Sequence, residues 1–245
     1  MARQRLGQHF LIKDTILKDI ARAACPEPVP LVMEIGAGRG ALTTRLLERA
    51  ARVVAIEIDH DLATHLRRKL AGDGRLEVVE ADVLSLDLTR WGPAPVAGNL
   101  PYYITSPILE RVLRLRPPRA VFLLQKEVAR RLVAEPGSRE YGYLTVATAL
   151  YGAPKLLRSV HPSAFRPPPK VDSAVVEFSP LAPAPPDAEA FLAFVAQCFR
   201  HKRKTIRNNL AVVYGKVVES WPEAALRAEQ LSLPQFLEMW RRPRV

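Results

Sequence analysis

The chain has 245 residues, 48% of them hydrophobic, and its 36 Lys and Arg against 25 Asp and Glu give a formal charge of +11 and a pI near 10.0. That is enough for one good core with a small appended domain, and the basic balance fits a nucleic-acid partner. No run reaches about 18 apolar residues and residues 2–8 are polar and basic, so the expectation is a cytoplasmic protein, neither exported nor membrane-spanning.

In chain order, a leading helix is predicted from about Leu11 to Ala24. The run Leu31-Val-Met-Glu-Ile35 then reads as a strand entering the glycine turn Gly36-Ala-Gly38-Arg-Gly40, with a helix from Ala41 to about Ala50. Glycine there lets backbone approach a ligand. Glu57, near the end of the next strand from Val53 to Ile58, lies about 20 residues further on, where a ribose hydroxyl finds its acceptor. Taken alone, this loop also fits the looser dinucleotide fingerprint of a nicotinamide or flavin enzyme. A third strand, Leu76 to Asp82, ends on a carboxylate that can accept an adenine amine, and a fourth ends at Asn99. Open α/β sheets bind ligands along the edge where such strand ends gather, and these four together favour S-adenosylmethionine.

Alternation of strands and helices continues through Gln125 and implies a parallel, doubly wound sheet. Two later runs, Leu156–Val160 and Asp172–Phe178, flank Pro167-Pro168-Pro169 and read as a closing antiparallel hairpin. The stretch Pro180-Leu-Ala-Pro-Ala-Pro-Pro-Asp187 reads as a stiff linker, with Asp187 as the N-cap of the next helix and a purely helical pattern after it. The domain boundary is placed there, giving 1–181 and 182–245.

Chemistry concentrates in Gly98-Asn99-Leu100-Pro101-Tyr102-Tyr103. An aromatic amine is a poor nucleophile because its lone pair is delocalised into the ring. Two acceptors aimed at its N–H bonds localise that pair, and the Asn99 side-chain oxygen with the Leu100 carbonyl supplies both. Pro101 stiffens the turn, and Tyr102 stacks on the face of an extruded base. The residues by themselves specify only an amino base in nucleic acid.

With these motifs in place, the chain resembles the S-adenosylmethionine-dependent ribosomal RNA adenine dimethyltransferases, the KsgA family of small-subunit enzymes. The resemblance is carried by Leu6–Leu11, Glu34–Gly40, Asn99–Pro107, Gln125–Ala129, Glu140–Leu144, Phe165–Val171 and Arg203–Leu210, in order, nearly end to end. It implies a Rossmann-like α/β methyltransferase fold with a seven-stranded, mostly parallel sheet and a small C-terminal helical domain that docks on RNA. It implies a cofactor site from His9, Leu11, Gly36, Gly38, Glu57, Asp82 and Asn99, with Glu57 on the ribose and Asp82 on the adenine. Asn99, Leu100, Pro101 and Tyr102 form the target pocket, with Phe165 as a second aromatic face. Two departures stand out: His9 replaces the family's usual Asn, and Ala37 its usual Pro.

The resemblance further implies dimethylation of N6 on two adjacent adenosines in the 3′-terminal hairpin loop of 16S rRNA, within an assembling small subunit and by a monomer. The alternatives are a methyltransferase of 23S rRNA adenine or of DNA, a noncatalytic assembly or transcription factor of the same fold, and a nicotinamide-dependent oxidoreductase. Arg200, Arg203, Lys204 and Arg207 recur at helical spacing, so they are expected to share one face with Lys202 nearby, widened by Arg3, Arg5, Lys13, Lys18, Arg241, Arg242 and Arg244. Cys25 and Cys198 have no partner motif, and the histidines show no metal-ligand spacing. A reduced protein without a metal is therefore expected.

Overall fold

The structure, a computed structural model, describes residues 9–180 and 187–242. Leu6-Gly7-Gln8 of the first motif, the interior of the proline segment, and Arg3, Arg5 and Arg244 lie outside the described residues.

The described residues open with a short strand β1 (Phe10–Leu11) and helix α1 (Asp14–Ala24). The sequence placed the start of this helix at Leu11, three residues early. Leu11 instead pairs antiparallel with Phe165, and Phe10 with Arg166. In α1, Ile16, Leu17, Ile20, Ala21 and Ala24 recur every three or four residues and form the buried face.

Strand β2 (Val32–Ile35) then leads to helix α2 (Ala41–Leu47), β3 (Val53–Glu57) to α3 (His60–Lys69), and β4 (Leu76–Glu80) across to β5 (Val96–Asn99). A 3-10 turn at Tyr102–Ile104 opens helix α4 (Thr105–Arg114), and strand β6 (Ala120–Gln125) follows, then helices α5 (Lys126–Leu132) and α6 (Tyr143–Ala149). Strands β7 (Gly152–Val160), β8 (Phe165–Arg166) and β9 (Ser173–Pro180) complete the strands among the described residues.

The seven-stranded sheet has the order β4-β3-β2-β5-β6-β9-β7. Its first five strands run parallel, and β9 and β7 are antiparallel, the closing hairpin the sequence anticipated. Strands β2 and β3 are buried along their whole length, as inner strands of a covered parallel sheet are, and their apolar residues share that burial with Glu34 and Glu57. Ile16, Leu17, Ile20, Leu42 and Leu46 pack there with Val32, Val53, Ala97, Val121 and Val175. After β2 the chain steps outward through β3 and β4, then returns to place β5 on the other side of β2. The switch point of the sheet is thus the β2–β5 junction, where ligands bind in folds of this kind.

Two compact units emerge. One holds the residues up to Ala129 together with Gly152–Pro180, and the other joins Arg130–Tyr151 to the residues after the proline segment. This division differs from the single break expected at 181/182. Residues 130–151 belong with the later helices α7 (Ala188–Cys198), α8 (Ile206–Tyr214) and α9 (Leu233–Arg241) because their packing partners are there. The Tyr141 ring lies 6.4 Å from that of Phe199, and the Gly137 N–H donates to the Glu229 carbonyl at 2.7 Å. Among the described residues no helix is long and apolar enough to cross a membrane.

Candidate active site

A cavity opens at the switch point within the first unit, lined by the ends of β2, β3 and β5, the residues that follow β4, and His9, Phe10 and Leu11. Its close geometry depends on Gly98. A Cβ there would fall 2.4 Å from the Ile35 carbonyl oxygen, so only glycine lets β5 lie this near β2. Across the same junction Gly36 has φ +72°, a conformation that favours glycine.

Asn99 ends β5 at the mouth of this junction. Its Nδ2 donates to the His9 backbone carbonyl at 3.0 Å. A carbonyl can only accept, so this bond fixes which end of the amide is which and leaves Oδ1 as the acceptor. The Leu100 N–H donates to the Leu123 carbonyl at 3.0 Å, anchoring the turn to β6, and the Thr105 hydroxyl donates to the Pro101 carbonyl at 3.0 Å. The Tyr102 hydroxyl is 2.6 Å from the hydroxyl of buried Ser173, and its ring sits 5.7 Å from the His9 ring, tilted by 32°.

The carboxylates on the other side are equally fixed. Glu57 accepts from the Gly38 N–H through Oε2 at 2.8 Å and from the Asp59 N–H through Oε1 at 3.0 Å, keeping lone pairs on both oxygens. Asp82 accepts from the Leu84 N–H at 2.9 Å. Beneath them Glu34, 1% exposed, accepts from the Thr43 hydroxyl at 2.5 Å. Burial, with the nearby Glu57 charge adding to it, pushes the Glu34 carboxyl up to about 8, so at neutral pH it is mostly the uncharged acid. Above the glycine turn the Arg39 guanidinium stacks over the Phe10 ring, 4.5 Å from its centre.

The cavity wall thus gathers His9, Leu11, Gly36, Gly38, Glu57, Asp82, Asn99, Leu100, Pro101 and Tyr102, every residue expected for cofactor and target except Phe165. Phe165 is 3% exposed and packs in the core with Leu11, Ile16 and Leu17, because pairing with β1 turns it inward. The second stacking face expected at this position is therefore not part of the cavity wall, and Phe165 sits in the core of the first unit. His9 acts through its backbone carbonyl, while its Nδ1 lies 2.9 Å from the Pro167 carbonyl and therefore carries a proton. Sequence reasoning gave no role to Glu34, Ser173 or Tyr103. Glu34 was legible as an acid inside an otherwise apolar strand, whereas Ser173 meets Tyr102 only through the fold.

In the second unit, Arg200, Lys202, Arg203, Lys204 and Arg207 are all exposed. They do not share a helical face as expected. Helix α7 stops at Cys198 and α8 starts at Ile206, so the first four lie on a loop. Buried Asn209 breaks the helical path by bonding to that loop. Its Nδ2 donates to the Cys198 and His201 carbonyls at 2.8 and 3.2 Å, and its Oδ1 accepts from the His201 N–H at 3.1 Å. Among the described residues none of the five cations is paired with a carboxylate. Lys202 reaches the Arg139 carbonyl at 3.1 Å.

The sequence matches the family described as ribosomal RNA adenine dimethylase over residues 1–241. The chain belongs to that family. Among its relatives, a ribosomal RNA small subunit methyltransferase A of Rubrobacter xylanophilus is 42% identical, with 98% of this chain and 94% of the relative covered. One of the same name from Acidobacterium capsulatum is 39% identical over 98% and 90%. A dimethyladenosine transferase of Plasmodium falciparum superposes with a TM-score of 0.78 at 27% identity, covering 94% of this chain and 96% of that one. The 23S rRNA methyltransferase ErmE gives 0.72 at 31% identity, over 95% and 100%. As in any ribosomal RNA adenine dimethylase, the cavity has to admit both a methyl donor and an adenine, and it offers two distinct polar groupings to do so.

Proposed function

We propose that this chain transfers methyl groups from S-adenosylmethionine to N6 of two adjacent adenosines in the 3′-terminal hairpin loop of 16S rRNA, acting as a monomer on an assembling small ribosomal subunit. The observation that carries the reading is Asn99, whose amide is locked by the His9 carbonyl with its oxygen left to accept.

The residues present fit the cofactor. Gly36 and Gly38 bring backbone to the cavity wall, Glu57 retains lone pairs for ribose hydroxyls beyond its two backbone bonds, and Asp82 offers an acceptor for an adenine amine. When bound, S-adenosylmethionine supplies an electrophilic methyl group on a sulfonium.

The protein's own part is orientation and electrostatics. Tyr102 stacks on the target base, with Ser173 holding its hydroxyl. Asn99 Oδ1 and the Leu100 carbonyl accept the two N–H bonds of the amine, localising its lone pair and stabilising positive charge that grows as the new bond forms. No base is required before attack, because the nitrogen becomes acidic only as it is alkylated, and water takes the proton. The exposed cations at 200–207 supply phosphate contacts, which give affinity and register rather than base identity.

The test is transfer of labelled methyl from S-adenosylmethionine to undermethylated small subunits, large subunits and DNA in parallel, followed by nucleoside analysis. Dimethyladenosine confined to small subunits is the expected result. Label on large subunits or DNA would retain the chemistry and overturn the target, and tight binding without label would favour an assembly factor.

A further inference from the structure

Of the large apolar side chains that line the cavity, most are buried or half-buried, but Tyr103 is 58% exposed and Ile58 is 52% exposed. Exposed rings at a cavity mouth are surface that a ligand can cover. Tyr103 follows Tyr102 directly, yet the two side chains leave the backbone in different directions. They sit in a 3-10 turn, which rotates by about 120° per residue and so cannot aim neighbouring side chains the same way. The turn is held by the Pro101 carbonyl, which accepts from the Ile104 N–H at 3.3 Å and from the Thr105 hydroxyl. Tyr102 is fastened toward Ser173 and His9. Tyr103 lines the cavity together with Asp82, Glu57 and Ile58, and partial burial, with the Asp82 and Glu57 charges adding to it, raises its phenol above the usual value.

A planar base whose amine rests on Asp82 would therefore have an apolar surface at hand in Tyr103, with Ile58, next to Glu57, also on the cavity wall. We propose that Tyr103 is a positioning residue for the methyl donor, its ring covering the adenine of S-adenosylmethionine, while Tyr102 next to it serves the RNA base. Two consecutive tyrosines would then divide one cavity between two adenines of similar shape. The inference rests on the cofactor assignment above and adds to it which of two aromatic rings meets which adenine.

The experiment is calorimetric titration of the full chain, as wild type, Tyr103→Ala and Tyr103→Phe, with S-adenosylhomocysteine, together with the KM for undermethylated small subunits. Melting temperatures provide the folding control, and exposed Tyr103 should tolerate either change. The expected result is about tenfold weaker binding for Tyr103→Ala, the scale of one stacking face, with near-full rescue in Tyr103→Phe and a KM for subunits that is unchanged. Unchanged affinity in Tyr103→Ala with a raised subunit KM would overturn the proposal and move Tyr103 to the RNA side. Equal loss in Tyr103→Phe would overturn it in favour of a hydrogen bond from the phenol. Wild type that fails to bind S-adenosylhomocysteine would remove the cofactor assignment itself, an outcome distinct from either.

Discussion

The side-chain amide of Asn99 donates to the backbone carbonyl of His9 across 90 positions of sequence. The residue that orients the candidate catalytic amide thus does so with an atom every amino acid possesses. This explains how histidine can stand where the family usually carries asparagine. The bond does not depend on the side chain at position 9.

Two substitutions separate the roles. Asn99→Ala removes the acceptor and should lower kcat by roughly 10²-fold or more while leaving RNA affinity nearly intact. His9→Ala keeps the carbonyl and should cost less than about tenfold in kcat. Single-turnover methylation and filter binding on both variants check this, and equal losses in kcat and RNA affinity for Asn99→Ala would contradict the acceptor role.

Phe165→Ala should act on stability first. Emptying a buried aromatic site costs about 3–5 kcal/mol, and Phe165 is part of the core cluster that holds Leu11, Ile16 and Leu17. Urea denaturation should show a midpoint well below wild type, whereas a residue that only stacked on the RNA base would raise the subunit KM with an unchanged midpoint.

Glu34 should give the fold a pH dependence. Its carboxyl titrates near 8 in the native state and near 4.5 when unfolded. Between those values the native chain holds a proton that the unfolded chain has released. Its contribution to stability is therefore full below pH 4.5 and is lost as pH rises through about 8. Melting temperatures from pH 5 to 9 should fall more steeply for wild type than for Glu34→Gln, which imitates the protonated acid at every pH. Parallel curves would show that Glu34 is already ionised.

Removing Arg203 and Lys204 together, as alanines, should weaken RNA association and make its salt dependence shallower by roughly 0.7–0.9 for each phosphate that is no longer neutralised. Affinity for S-adenosylhomocysteine should stay the same, since these cations take no part in lining the cavity. Binding isotherms at several salt concentrations decide it. An unchanged slope would mean that the loop lies away from RNA.

Much of the site was legible because parallel strands deliver their ends to one edge, so apolar runs ending at Ile35, Glu57, Glu80 and Asn99 mark that edge without coordinates. What stayed hidden involved long separations or a single overriding side chain. The β1–β8 pairing joins two-residue strands with no periodicity to detect, and it sets buried Phe165 opposite buried Leu11. The spacing of Arg200, Arg203, Lys204 and Arg207 is helical, but Asn209 satisfies the carbonyls of a loop there. The grouping of 130–151 with the later helices rests on partners such as Phe199 and Glu229, which no local pattern announces.

The sheet also carries a temporal constraint. Strand β9 lies between β6 and β7, although it is the last of the three to be made. On a translating ribosome, β6 must wait with an open backbone edge until Ser173–Pro180 has emerged, and an unpaired edge is where nascent chains associate wrongly. The half-made protein is thus most vulnerable between the emergence of Gln125 and that of Ser173–Pro180, and a pause in translation within that interval should favour aggregation more than one placed after Pro180 has emerged.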